Sequence, residues 1–317
     1  MNEQRIEISK NVLVDCLGLQ AGESLVVVTD DSRKELAEAL YEGGKRLGAE
    51  SMLVVMQERS RSGEEPPASV AVAMMNASVV VCVTRYSLTH TAARKQAAAA
   101  GARVATMPGI TEDMFTHGAI TADYAEVKKL TERVTGLLTD ASTVRIEKDG
   151  YELSFSIENR EGVPSTGLYL NPGESGNLPS GEAYIAPLEG TASGQLLADG
   201  SVAGLGALEQ PLLLTLEHGR LVAAEGGLGT DLLHMLGDDQ GRMLGEFGIG
   251  TNDKARITGV VLEDEKVYGT IHVAFGSNNT FGGTIAAGVH IDIVVKQPDV
   301  YLDDRLVMRA GELVDGR

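Results

Sequence analysis

SLVVVTDDSRKELAEALYEGGKRL, residues 24–47, decides the reading of the fold. A short β-branched run, 24–30, feeds a stretch rich in helix formers, 32–47, and that pairing repeats along the first third of the chain. SMLVVMQ (51–57) precedes a helix over about 67–76, SVVVCVT (78–84) precedes HTAARKQAAAAG (90–101), and ARVATMP (102–108) precedes a further helical segment. Four strand–helix units in series predict a parallel sheet wrapped by helices. The junction after the first strand carries Asp30, Asp31 and Ser32 where a dinucleotide-binding fold would place glycines. An acidic helix start caps the helix well and repels a pyrophosphate, so no nucleotide cofactor is expected.

After a last helical stretch, ADYAEVKKLTERVTGLLTDA (122–141), the pattern changes. From Ser142 onward, period-2 segments alternate with glycine-rich turns, and Lys148-Asp149-Gly150 between two such segments is a hairpin signal. GTDLLHMLGDD (229–239) is the one clear helix of this half. GTASGQLLADGSVAGLGALEQP (190–211) reads either as a strand pair or as a loop over a site. The fold class expected is α/β: an N-terminal α/β domain with a mostly parallel sheet over residues 1–140, and a β-rich α+β domain over 141–317.

The chain of 317 residues is long enough for two hydrophobic cores. A formal charge of −18 argues against nucleic acid and anionic membrane surfaces as partners, since both would repel it. No apolar stretch reaches the ~20 residues of a membrane span, and the N-terminus lacks the basic and apolar regions of a secretory signal, so a cytoplasmic location is expected. The two cysteines, Cys16 and Cys82, lie in no CxxC or Cys/His cluster and read as core residues.

The β-rich half places polar residues inside apolar or glycine-rich runs. Glu182 follows a turn in NLPSGEAYIAP, Glu246 sits in MLGEFGIGTND, His272 lies between Ile271 and Val273, and GVHIDIVVKQPDV (288–300) sets His290 and Asp292 two apart. In a strand, residues i and i+2 face one side, so His290 and Asp292 project together. Each such residue alone is more readily a hydrogen-bonded core or turn group. Two imidazoles and three carboxylates together are the donor set of a divalent transition-metal site. His90, His117, His218 and His234 read as capping, surface or core residues.

NLPSGEAYIAPLEGTASG, LGEFGIGTN, GTIHVAFG and HIDIVV, in that order, resemble the metal-binding blocks of the M29 aminopeptidases over about residues 170–295. The resemblance implies that Glu182, Glu246, His272, His290 and Asp292 hold two divalent metals per chain, zinc, cobalt or manganese. It implies a cytoplasmic metallo-aminopeptidase acting on small peptides, with Glu246 bridging the ions or handling the proton of the attacking water, and a homodimeric assembly. Where that family has an oxyanion-stabilising tyrosine, this sequence has Asn279, whose amide can still donate a hydrogen bond. A similar His-x-Asp block occurs in the 2,5-dihydroxypyridine dioxygenases, which implies the alternative of one Fe(II), a small aromatic substrate and ring cleavage; a relative that binds a metal without turnover is the other alternative.

Overall fold

The computed structural model describes residues 2–314. The chain forms two compact units: residues up to Ala125 together with Gly167–Ser180, and Glu126–Thr166 together with the chain from Gly181 onward.

The first unit is built on the parallel sheet that the strand–helix alternation predicts. Its strands lie in the order Glu50–Met56, Ser24–Asp30, Val79–Val83, Arg103–Thr106 and Ser175–Asn177, all parallel. The fifth is a three-residue Ser-Gly-Asn segment, too short and too polar to announce itself. Val26, Val28, Val80, Cys82 and Val104 on one face of the sheet pack with Val70 and Met74 of helix Ala68–Met75 and with Ala93 and Ala97 of helix Ala92–Ala99. Against Leu25 lies helix Lys34–Arg46, at Gly44, where a Cβ would come within 2.4 Å of the leucine side chain. Asp30 is not idle at the end of its strand: its carboxylate accepts from Ser32 N at 3.0 Å and from Arg85 N at 2.7 Å, fastening two strand ends together.

The composition change near residue 140 and the packing do not coincide. Helix Tyr124–Asp140 contributes Val134 and Leu138 to the β-rich core, and Thr131 Oγ1 shares a 2.6 Å hydrogen bond with Thr251 Oγ1. Most of that helix therefore belongs with the second unit although its sequence reads like the first.

The second unit stacks two antiparallel sheets. One has eight strands and contains the predicted hairpin, Thr143–Lys148 with Tyr151–Ser156, turning at Asp149 (φ 51) and Gly150 (φ 86); two successive positive φ values are what a type I′ turn needs. The other has seven strands, in the order Gly206–Ala207, Ser201–Val202, His290–Lys296, Thr270–Gly276, Leu244–Gly250, Glu182–Ile185 and Val163–Ser165. Stretch 190–211 forms strands in both sheets. It runs as Ser193–Ala198 in the eight-stranded sheet, changes sheets at Asp199 and Gly200, and continues as Ser201–Val202 in the seven-stranded one. GTDLLHMLGDD supplies helix Gly229–Leu236.

Between the sheets lies one core. Phe247, Ile249, Ile271, Val273, Phe275, Ile291, Ile293 and Val295 point into it from the seven-stranded sheet, and the Phe247 ring meets Phe155 of the other sheet edge-on at 5.5 Å. Burying each such side chain contributes about 1.5–3 kcal/mol, which pins the register. With those residues turned inward, the intervening ones must occupy the opposite face.

Candidate metal centre

That opposite face carries the polar residues singled out in the sequence. The register sets Glu246 beside Ala274 and Ala274 beside Asp292, His272 beside Gly248, His290 beside Gly276, and Glu182 beside Gly250. Every donor has a small residue opposite it on at least one neighbouring strand. A Cβ on Gly248 would sit 2.1 Å from His272 Nε2, so the glycines of GEFGIG are the room in which the imidazoles stand. A bulge between Leu244 and Glu246 lets the Glu246 strand turn its carboxylate to this face while Phe247 returns to the core.

Glu246 joins the group. Its Oε1 lies 3.3 Å from His272 Nε2 and its Oε2 lies 3.5 Å from His290 Nε2. Asp292 Oδ1 is 3.3 Å from His290 Nε2, and Glu182 Oε2 is 3.5 Å from His272 Nε2. The structure thus brings together all five residues of the expected ligand set. Asn279 is not among them: it is exposed, its backbone N–H donates to Ile285 O at 3.3 Å, and among the described residues its side chain joins none of these contacts.

Two further charged groups belong to the site and escape the sequence reading. Glu265 and Lys266 follow the short helix Val261–Asp264 in a charged run, VLEDEK, that looks like a solvated surface. Both are instead inside: the Lys266 side chain is 1% exposed, its Nζ donates to Glu182 Oε1 at 2.6 Å, and it pairs closely with Glu265 Oε1. Asn252 N donates to Lys266 O at 2.9 Å and Tyr268 N to Asn252 O at 3.1 Å, which fixes the backbone from which the lysine reaches in. Nothing linear distinguishes such a lysine from a surface one; only its cross-strand partners do.

The electrostatics are those of a cation site. Burial alone would lower the pKa of His272, yet its hydrogen bond to Glu246 and the charge of Glu182 raise it to about 9. Burial likewise opposes charge on His290, but Asp292 and Glu246 raise it to about 10. Asp292, which burial would push up, falls to about 2 because His290 faces it. Glu265 is pushed up to about 8 by burial, against the pull of Lys266. For Lys266 burial again opposes charge, and Glu182 with Glu265 holds its pKa above the ordinary lysine value.

Donor geometry fits a metal. One ligand atom from each of Glu246, His290 and Asp292 lies within 4.8 Å of the others, and the same holds for Glu182, Glu265 and His272. Glu182 Oε2 is buried with no hydrogen-bond partner among the described residues, an acceptor left for a cation to satisfy. His290 Nδ1 stands 2.8 Å from Ser277 O; donating its proton there leaves the Nε2 lone pair free to coordinate. Ser277 is itself held, accepting at Oγ from Ala287 N and Gly288 N. Beside this lies an aromatic pair, Phe281 meeting Tyr184 edge-on at 5.3 Å and His290 at 6.2 Å.

Comparison with known proteins follows the same lines. The family described as NicX, 2,5-dihydroxypyridine 5,6-dioxygenase, matches residues 4–315. A 2,5-dihydroxypyridine 5,6-dioxygenase of Pseudomonas putida is 26% identical over 200 residues, 56% of this chain and 56% of that protein, so the chain spans little more than half the length of the curated relative it matches. The structure of the 2,5-dihydroxypyridine dioxygenase from P. putida KT2440 superposes with a TM-score of 0.84 at 20% identity, covering 100% of this chain and 99% of that one. Wild-type AmpT from Thermus thermophilus superposes at 0.72 with 19% identity over 98% and 99%. At these identities the two structures share the fold, and the resemblance to the M29 aminopeptidases stands at that level. The match along nearly the whole sequence decides the family: this chain belongs to the 2,5-dihydroxypyridine 5,6-dioxygenase (NicX) family.

Proposed function

We propose that this chain is a mononuclear non-haem iron dioxygenase that opens a hydroxylated nitrogen heteroaromatic ring of the 2,5-dihydroxypyridine class. One observation carries the reading: the Nε2 atoms of His272 and His290 converge on Glu246, with Asp292 at 3.3 Å from His290. Two imidazoles and a carboxylate with positions to spare are the donor set of Fe(II) oxygenases. Bound there, the iron supplies the one-electron chemistry that lets dioxygen react with an electron-rich ring. His272, His290 and Asp292 hold the metal. Glu246, with an oxygen toward each imidazole, is placed to take a proton from a ring hydroxyl. Phe281 and Tyr184, set edge to face, place aromatic rings beside His290, a surrounding suited to an aromatic substrate.

The aminopeptidase expectation shares the fold and the five donors but needs more. It requires a second ion and a donor to the developing oxyanion, and the residue at that position, Asn279, is exposed. Both the family match and the curated relative favour the oxygenase.

The test is oxygen uptake. Protein loaded anaerobically with Fe(II) and then given 2,5-dihydroxypyridine in air is expected to consume oxygen mole for mole with loss of ring absorbance. His290→Ala should lose metal and fall by more than about 100-fold, while His234→Ala, on a helix apart from the donors, keeps both. An intact ring, together with hydrolysis of an aminoacyl anilide, would return the chain to the peptidases.

A further inference from the structure

The two donor groups are not equivalent, and Lys266 is the reason. Glu182, Glu265 and His272 present ligand atoms within 4.8 Å of one another, close enough for an ion. The Lys266 ammonium already stands among them, bonded to Glu182 Oε1 at 2.6 Å and to Glu265 Oε1. Its side chain is 1% exposed and those of Glu182 and Glu265 are 9% and 13% exposed, so none of the three charges can retreat to water. A divalent ion placed among the same oxygens would face an ammonium a few ångströms away in a medium of low dielectric, where like charges repel strongly. The group formed by Glu246, His290 and Asp292 has no such occupant among the described residues.

We propose that the Lys266 ammonium is a built-in cation that fills the second cation position of this centre and limits it to a single metal. Resting on the mononuclear reading above, the inference supplies the residue that enforces it. Glu182 is thereby divided: Oε1 serves the lysine, while Oε2 faces His272 at 3.5 Å. The lysine stays in place because its own backbone is clasped by Asn252 and because withdrawing it would leave two buried carboxylates unpaired. Without its charge, Glu182 and Glu265 are free to hold a second ion beside the metal that His272, His290 and Asp292 hold.

The experiment is a titration of chelator-treated protein with Co(II), read as cobalt per chain by elemental analysis and by calorimetry, for the wild type, Lys266→Met, Lys266→Gln and Lys266→Arg. The wild type and Lys266→Arg, which keeps the charge, are expected to saturate at one equivalent. Lys266→Met is expected to reach two. Lys266→Gln, which can still donate to a carboxylate and so keeps the fold if the methionine variant does not, should also reach two. Two equivalents in the wild type, or one in both neutral variants, overturns the proposal while leaving a metalloenzyme; no cobalt bound by any form removes the metal reading as well.

Discussion

Gly248 faces His272 across neighbouring strands, and a methyl group there would lie 2.1 Å from the ring nitrogen that meets Glu246 and Glu182. His272 is fully buried and has no room to withdraw. Gly248→Ala is therefore expected to cost about 1–3 kcal/mol by overpacking and to lower metal content sharply at a temperature where circular dichroism still reports the native fold. Unchanged metal content would mean that His272 is not a ligand. The cysteines supply an independent check on the cores. Burial pushes the Cys82 thiol up to about 12 and raises Cys16 too, so a thiol reagent at neutral pH should label neither until denaturant is added; rapid labelling of native protein would contradict their packing. Five donors are legible in the sequence because each interrupts an apolar or glycine-rich run, and a polar group there needs a reason. Glu265 and Lys266 are not legible, because a charged residue among charged neighbours has an ordinary explanation at the surface. Their burial depends on Glu182, more than eighty positions away in sequence.

A strand can carry a site on one face only if its other face is committed elsewhere, and the alternation within FGIG and HIDIVV makes that division visible in the sequence itself. Phe247, Ile249, Ile291 and Ile293 go to the core, and the residues between them go to the metal face. What the pattern does not reveal is which strands become neighbours. Pairing Leu244–Gly250 with Glu182–Ile185, and switching 190–211 between sheets, are decided by contacts far apart in sequence. The loop after strand Thr270–Gly276 is equally opaque, though its ordering is specific. Glu189 accepts from Thr284 N at 2.7 Å and from Asn278 Nδ2 at 3.3 Å and pairs with Arg160, while Asn278 Oδ1 accepts from Ile285 N at 2.8 Å. These bonds hold Ser277, whose carbonyl orients His290. Glu189→Ala should loosen residues 277–289, seen as faster amide exchange confined to that segment, and weaken metal binding about 10-fold through loss of an orienting partner. Exchange unchanged in the segment would show that Phe281 and the backbone hold it without Glu189.

Across the whole molecule, the metal and the cores belong to one stability account. Every residue of the candidate centre, from Glu182 to Asp292, lies in the second unit, whereas the parallel sheet has a core of its own in the first. Four carboxylates and one ammonium share the site with two imidazoles; once the imidazoles are neutral, as coordination requires, the carboxylates leave an excess of buried negative charge that a divalent ion offsets. An ion bound by the native state alone adds RT ln(1 + [M]/Kd), about 2.7 kcal/mol at a hundredfold excess over Kd. Chelation should therefore lower the melting temperature of the second unit by several degrees, a ΔΔG of that size moving a domain of 150–250 residues by about 2–4 °C per kcal/mol. Amide exchange resolves the two units: strands Leu244–Gly250, Thr270–Gly276 and His290–Lys296 should lose protection on chelation, and strands Ser24–Asp30 and Val79–Val83 should not. Equal loss in both units would mean that they unfold as one cooperative body, and no loss in either would mean that the buried charges are already balanced without a metal. A loss of the same sign is expected for Lys266→Met without metal, because removing the ammonium leaves Glu182 and Glu265 facing each other uncompensated. There the added ion should stabilise more than it does in the wild type, and a smaller gain would show that the lysine does not stand in for a cation.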